Sequence, residues 1–227
     1  MKNIFIISMF FICQIFFGQT SNVQIDQTSF LIGLVGDYDG KMATYDYPNI
    51  EIPIVTFHCS ENQLSKIFID SLENFKEVKT KIEIDKSSIY SKELAKFFNK
   101  FYTRKIVEDY GFHDTAQNKD YSYYFLILKK DKFKSQIQKL SFLAGTFYRF
   151  GKLNTENQIE ITTVNSVSHF KACVEFAEEL GFKIVSKELA DYYAIPSVDK
   201  FTFIPSEKFS LFFTELNEAK PLKNECQ

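Results

Sequence analysis

Tryptophan is absent from the 227 residues, and arginine is nearly so: Arg104 and Arg149 are the only two, leaving lysine to carry almost all the positive charge. A surface short of guanidinium groups lacks the planar fork that grips a phosphate or carboxylate through two parallel hydrogen bonds. No Lys/Arg cluster stands out and the formal net charge is −2, so the sequence predicts no nucleic-acid partner. Four cysteines, Cys13, Cys59, Cys173 and Cys226, are too few for a disulfide-stapled scaffold. The three histidines, His58, His113 and His169, have no HxxxH spacing and no CxxC accompanies them, so no metal site is expected. Neither a glycine-rich phosphate loop nor a GxSxG elbow occurs, and no cofactor is expected.

What the chain does have in quantity is phenylalanine, 26 of 227 residues. With abundant Asn, Ile and Lys beside it, this fits a bias toward A/T-rich codons, and such phenylalanines fill a core rather than line a ligand box. Hydrophobic content of 45% with 25% charged residues is that of an ordinary globular protein.

The first residues read as an export signal. Met1-Lys2-Asn3 is basic, 4–17 is almost continuously apolar, and Gly18 offers a small residue for cleavage before Gln19. The run is too short to span a bilayer. Cys13 follows Phe-Phe-Ile rather than the small residues of a lipidation site. The expected location is therefore extracytoplasmic, periplasmic or secreted, with no stable membrane span.

Beyond the signal (1–18), an N-terminal segment (19–50) reads as a β-hairpin, with 28–38 and 41–47 flanking the turn pair Asp39-Gly40. Ser60…Gln63 has the form of a capping box opening a helix with Leu64, Ile67, Phe68 and Leu72 on one stripe. A second helix is expected over 91–110, a strand over 121–128, and a long helix over 132–150 whose Ala144-Gly145 pair allows close packing. A strand (159–164), a helix (166–180) closed by Gly181-Phe182, a short helix (187–193), a strand (201–204) and a helix (207–216) complete the pattern.

Two octapeptides nearly coincide: Ser91-Lys-Glu-Leu-Ala-Lys-Phe-Phe98 and Ser186-Lys-Glu-Leu-Ala-Asp-Tyr-Tyr193. Aligned through them, 51–151 and 152–218 form two αβ repeats, followed by a frayed tail (219–227). The expected fold class is α+β, a mixed sheet with helices mainly on one face and ferredoxin-like halves; a doubly wound α/β sheet is the alternative.

Candidate chemistry is sparse. His58-Cys59 sits between a strand and a helix, where a helix N-terminus favours a thiolate. His113-Asp114 follows Gly111 in a polar stretch and could orient an imidazole for acid–base work. These four residues support a thiol-dependent hydrolase, Cys59 acting with His58 or His113. Without a complete catalytic constellation, the preferred expectation is not an enzyme but an exported, non-catalytic binding protein, for instance an immunity-type protein that neutralises a protein partner.

Overall fold

The computed structural model describes residues 23–36, 43–44 and 53–221, apart from 74, 80, 86 and 191–195. The expected signal segment, the Asp39-Gly40 turn and the last six residues lie outside these. Among the described residues no helix is long and apolar enough to cross a membrane. The α+β class is as expected, with six α-helices and three sheets among the described residues, every described strand pair being antiparallel. The doubly wound parallel alternative is thereby excluded for these strands.

The first element, α1 (Gln27–Val35), is a helix where a strand of a hairpin was expected. Thr28–Val35 is apolar on nearly every side, so neither period marks it. Its cap decides: Asp26 Oδ1 accepts from the Ser29 amide at 2.8 Å. β1 (Ala43–Thr44) pairs not with 28–38 but with Tyr123 and Tyr124, far along the chain.

β2 (Val55–Thr56) leads into a 3-10 turn (Cys59–Glu61) and α2 (Asn62–Glu73). The capping box lies two residues earlier than expected: Glu61 Oε2 accepts from the His58 amide at 2.8 Å. β3 (Glu83–Asp85) and β4 (Ser88–Tyr90) complete the sheet β2-β4-β3.

α3 (Lys92–Phe98), capped by Ser91, stops well short of Tyr110. After a 3-10 turn (Asn99–Phe101) the chain becomes β5 (Tyr102–Asp114), paired with β6 (Lys119–Leu128) in a long ribbon. Tyr102, Thr103 and Ile106 are strand formers, and Leu126 and Leu128 across the ribbon bury the face that a helix would have had to share.

The second half runs α4 (Gln136–Phe150), β7 (Gly151–Leu153), β8 (Ile159–Val164), α5 (Val167–Glu179), β9 (Lys183–Glu188), β10 (Val198–Ile204) and α6 (Glu207–Glu218). Its sheet order is β7-β8-β10-β9. The end of α5 is closed as expected: Gly181 has φ 74°, and the Phe182 amide donates to the Ala177 carbonyl at 2.9 Å.

The matched octapeptides do not adopt one structure. The first is the cap and body of α3, whereas Ser186-Lys187-Glu188 lies in β9, with Lys187 opposite Phe201. Pairing with β10 outweighs the helix preference of Lys-Glu-Leu-Ala, a weak prior against tertiary context. Where chain segments are alike in structure is elsewhere, in Phe30-Leu-Ile-Gly33 of α1 and Phe142-Leu-Ala-Gly145 of α4.

Those two strings bring α1 and α4 together backbone to backbone. A Cβ on Gly33 would lie 2.1 Å from the Phe142 carbonyl oxygen, and one on Gly145 2.0 Å from that of Phe30. Each glycine thus rests on the phenylalanine carbonyl of the other helix, a reciprocal contact of the kind a two-fold axis generates. Thr146 Oγ1 donates to the Gly33 carbonyl at 3.2 Å, and Ser141 Oγ accepts from the Asp26 amide at 2.8 Å.

On the other side of α4, Phe133, Phe142 and Phe176 pack ring to ring with centroids 5.1–5.5 Å apart. Beside them His169 of α5 is fully buried and shares a 2.8 Å hydrogen bond between Nε2 and the Tyr102 hydroxyl. Burial pushes the His169 pKa down to about 3, so the ring is neutral at physiological pH.

Two outcomes follow. In an exposed helix, Gly→Ala gains up to about 1 kcal/mol. Gly33→Ala and Gly145→Ala should instead each lose at least about 1–3 kcal/mol in urea unfolding, because the methyl group has only backbone to displace. For His169, the unfolded chain takes up a proton near pH 6.5 while the folded chain resists until about pH 3. Stability from this residue is therefore full above about pH 6.5 and falls as pH drops toward 3. His169→Gln should flatten that part of the stability profile relative to the parent.

Candidate functional site

The four residues singled out from sequence fall into two separate pairs. His58 and Cys59 lie at the start of α2. His58 Nδ1 is 2.9 Å from Ser60 Oγ and accepts from the Ser60 amide at 3.3 Å, and Cys59 Sγ lies beside the ring, 3.6 Å from Nδ1 and 3.7 Å from Nε2. Cys59, however, is disulfide-bonded, so no thiol is present to act as nucleophile. His113 and Asp114 sit at the far end of β5. His113 Nδ1 bonds Asp120 Oδ1 at 2.8 Å, and Asp114 Oδ1 accepts from the Ala116 and Gln117 amides to shape the turn. The hydrolase expectation is corrected: Cys59 is oxidised, and the hydrogen bond of His113 goes to Asp120. Cys173, on the inward face of α5, is fully buried.

What sequence reading missed lies where α1 and α4 end. Arg149 turns inward and is 6% exposed. Its Nε and Nη2 donate to the two carboxylate oxygens of Glu61 at 3.2 and 3.1 Å. Nη1 donates to the Leu34 and Val35 carbonyls at 3.3 and 3.2 Å, and Nη2 also to the Thr56 carbonyl at 2.8 Å. The guanidinium plane stacks between Phe57 and Phe150, 4.7 Å from each ring centroid. One side chain so satisfies the open C-terminal carbonyls of α1 and ties them to β2 and the start of α2. A pocket of about 50 Å³ beside it is lined by Ser60, Glu61, Tyr148, Arg149, Lys220 and Pro221. Burial alone raises the Tyr148 pKa to about 12.

Removing one partner of such a pair leaves a buried, uncompensated charge. Arg149→Met or Glu61→Leu should each cost about 3–5 kcal/mol. The double variant Arg149→Met/Glu61→Leu should cost clearly less than the two singles together, read as a coupling in a double-mutant cycle of chemical unfolding.

The second feature is electrostatic. Residues 92–105 and 129–134 contain nine basic side chains against two acidic ones, Glu93 and Asp131. The fold joins these stretches at the base of the β5–β6 ribbon. The Lys129 amide donates to the Phe101 carbonyl at 2.8 Å, and the Phe101 ring packs on Phe133 at 5.8 Å. Lys96, Lys100, Arg104, Lys105, Lys132 and Lys134 are all exposed, while Lys130 pairs with Glu175.

Aromatic groups interleave with these charges. Arg104 lies over the Tyr124 ring at 5.0 Å, Lys119 over Tyr121 at 4.8 Å, and Phe112 stacks on Tyr121 at 5.4 Å. Lys105 stands directly across from Phe125, and Thr103 from Ile127. Both Phe125 and Ile127 are 37% exposed. Four lysines in six residues, 129–134, were the signal available in the sequence; the partner stretch thirty residues earlier was not.

The second sheet presents no such excess. Its open face carries Lys152, Glu160 and Lys200, with Glu160 carboxylate oxygens 2.9 Å from both ammonium groups. Burial works against the charged Glu160, yet the hydrogen bonds from Lys152 and Lys200 hold its pKa below the usual value.

No family model matches the chain, and no curated protein does. Among solved structures, the homing endonuclease I-DmoI is similar in chain path. A structure of its mesophilic variants matches at 14% identity and TM-score 0.46, covering 85% of this chain and 96% of that one. I-DmoI in complex with DNA and Ca matches at 15% identity and TM-score 0.46, covering 88% and 94%. The N-terminal LAGLIDADG domain of DUF199/WhiA matches at 13% identity and TM-score 0.33, covering 88% of each chain. The expectations of an exported partner-neutralising protein, of an extracytoplasmic location and of no nucleic-acid partner are not shared by these neighbours, which are an endonuclease, in one structure in complex with DNA, and a LAGLIDADG domain. The expectation of no nucleic-acid partner had rested on the lack of a basic cluster, which the fold assembles from two stretches.

Proposed function

We propose that this chain binds double-stranded DNA, with the β5–β6 ribbon and its basic base as the contact surface. The observation that carries this reading is the gathering of nine basic residues around one ribbon in a chain whose formal net charge is −2. The positive charge is thus concentrated on one surface, and the remainder of the chain carries a compensating acidic excess that orients it away from a polyanion. A two-stranded ribbon is narrow enough to enter the major groove. Lysines at its base then reach phosphates, which supply affinity and register without reading sequence. DNA is also present in two of the I-DmoI structures, though the support here comes from this chain's own side chains.

The same reading assigns a structural rather than catalytic task to the end of α4. The side chains there are Tyr148, Arg149 and Phe150, and the neighbouring carboxylate of Glu61 is already engaged by the guanidinium.

Titrating a fluorescent short duplex across a range of salt concentrations tests the proposal. Binding should weaken steeply with salt, because each neutralised phosphate releases a counterion. Lys100→Glu, Lys132→Glu and Lys134→Glu should each weaken binding to all duplexes alike and lower the log–log salt slope by about one. Lys152→Glu, on the neutral sheet face, should leave the slope unchanged. Absence of binding at low ionic strength, or binding indifferent to salt, would overturn the reading.

A further inference from the structure

Near its base the β5–β6 ribbon has two faces of opposite character. Tyr102, Tyr124, Leu126 and Leu128 turn toward the core and are buried. The alternate residues face outward: Phe125 and Ile127 on β6, with Lys105 and Thr103 directly across from them on β5. All four are exposed. Residues opposite each other in an antiparallel pair share a face, as do residues two apart on one strand, so the four form a single patch. Three of its corners carry an apolar group, and the fourth carries an ammonium group. Apolar surface gains free energy only when it is covered. Whatever covers this patch must also accept the charge of Lys105 and that of Lys100, Lys132 and Lys134, exposed at the ribbon base. Those two demands describe a polyanion with apolar points on its surface.

We propose that Phe125 and Ile127 read the C5-methyl groups of thymines, so that the duplex this chain prefers is A·T-rich. The inference rests on the duplex-binding reading above and adds its substrate class. In the major groove, G, C and A present hydrogen-bonding groups, and thymine alone adds a methyl group. A phenyl ring or an isoleucine pressed against a base amino or carbonyl group would strip its water and return no hydrogen bond, which costs free energy. Against a methyl group the same side chain loses nothing and buries carbon. The spacing follows from strand geometry. Residues two apart on a strand are about 6.8 Å apart, and successive bases on one DNA strand rise about 3.4 Å. A ribbon lying along the groove therefore sets Phe125 and Ile127 against thymines two steps apart. Lys105, across from Phe125, has donors only and meets an acceptor, a purine N7 or a phosphate oxygen. The patch holds no Asn or Gln to take adenine through two hydrogen bonds, so the preference is carried by the methyl groups.

Titration of the full chain against three fluorescent duplexes of one length tests this. One is A·T-rich, the second is the same duplex with every thymine replaced by uracil, and the third is G·C-rich. Uracil keeps each hydrogen-bonding group of thymine and lacks only the methyl. The thymine duplex should bind more tightly than the uracil duplex by about fourfold per methyl group covered, roughly fifteenfold for two. The G·C-rich duplex should bind no better than the uracil one. Phe125→Ser with Ile127→Ser should abolish the preference for thymine over uracil, whereas Phe125→Leu with Ile127→Val, which stay apolar, should keep most of it. Lys132→Glu should weaken binding to the thymine and uracil duplexes by the same factor. Equal, salt-dependent binding of those two duplexes by the parent would overturn the inference and leave duplex binding standing. No binding of any duplex at low ionic strength would overturn both. Self-association of the parent that disappears in the double serine variant would assign the patch to a second copy of the chain, and would overturn the inference as well.

Discussion

At the centre of the molecule two helices touch at bare peptide groups. Gly33 and Gly145 let α1 and α4 approach until each glycine lies against the other helix's phenylalanine carbonyl, a separation that no side chain would permit. Much else is set by that distance. Thr146 can reach the Gly33 carbonyl only across so small a gap, and Arg149 can reach the last carbonyls of α1 only because α4 runs alongside it. The two flanking sets of strands and helices take their positions from this seam, and the phenylalanines packed on α4 fill the space that remains.

The two arginines show how a scarce residue is spent. A lysine has three donors on one atom and could not serve Glu61, Leu34, Val35 and Thr56 together. Arg149 does so with a planar fork while its faces stack on two aromatic rings. Arg104 uses the same planarity on the surface, lying over Tyr124 within the ribbon. Elsewhere, where only a point charge is required, the chain uses lysine.

The sequence made some of this legible and concealed the rest for physical reasons. The helices α2, α5 and α6 and the strand β8 were readable because each has one buried and one exposed face, so the apolar period is unmistakable. Ala144-Gly145 pointed correctly to a close approach. α1 was misread because a segment buried all round has no period. The ribbon was cut short in the reading because Lys-Phe-Phe-Asn-Lys-Phe continues the helical spacing of α3 past its real end at Phe98. The pair Ser186-Lys187-Glu188 against Ser91-Lys92-Glu93 misled because identical local preferences were resolved by different neighbours. Of the site, His58 and Cys59 were correctly seen as adjacent at a helix start, but the oxidation state of Cys59 is set by its fold partner. The basic base of the ribbon depends on Lys129 meeting Phe101, a contact that no linear window contains.

The seam between α1 and α4 has a consequence in time. Asp26 and Ser141, hydrogen-bonded in the finished protein, are 115 residues apart in the chain. During synthesis at about 5–20 residues per second, α1 emerges and waits roughly 5–20 seconds before its partner exists. Throughout that interval Leu31, Ile32, Leu34 and Val35, all buried in the native state, have no helix to cover them. Closing so long a loop also precedes any reward from the contacts it makes, which slows folding. The first half of this protein is therefore a late folder despite being made first, and the nascent chain depends on being kept from its neighbours until α4 has left the ribosome.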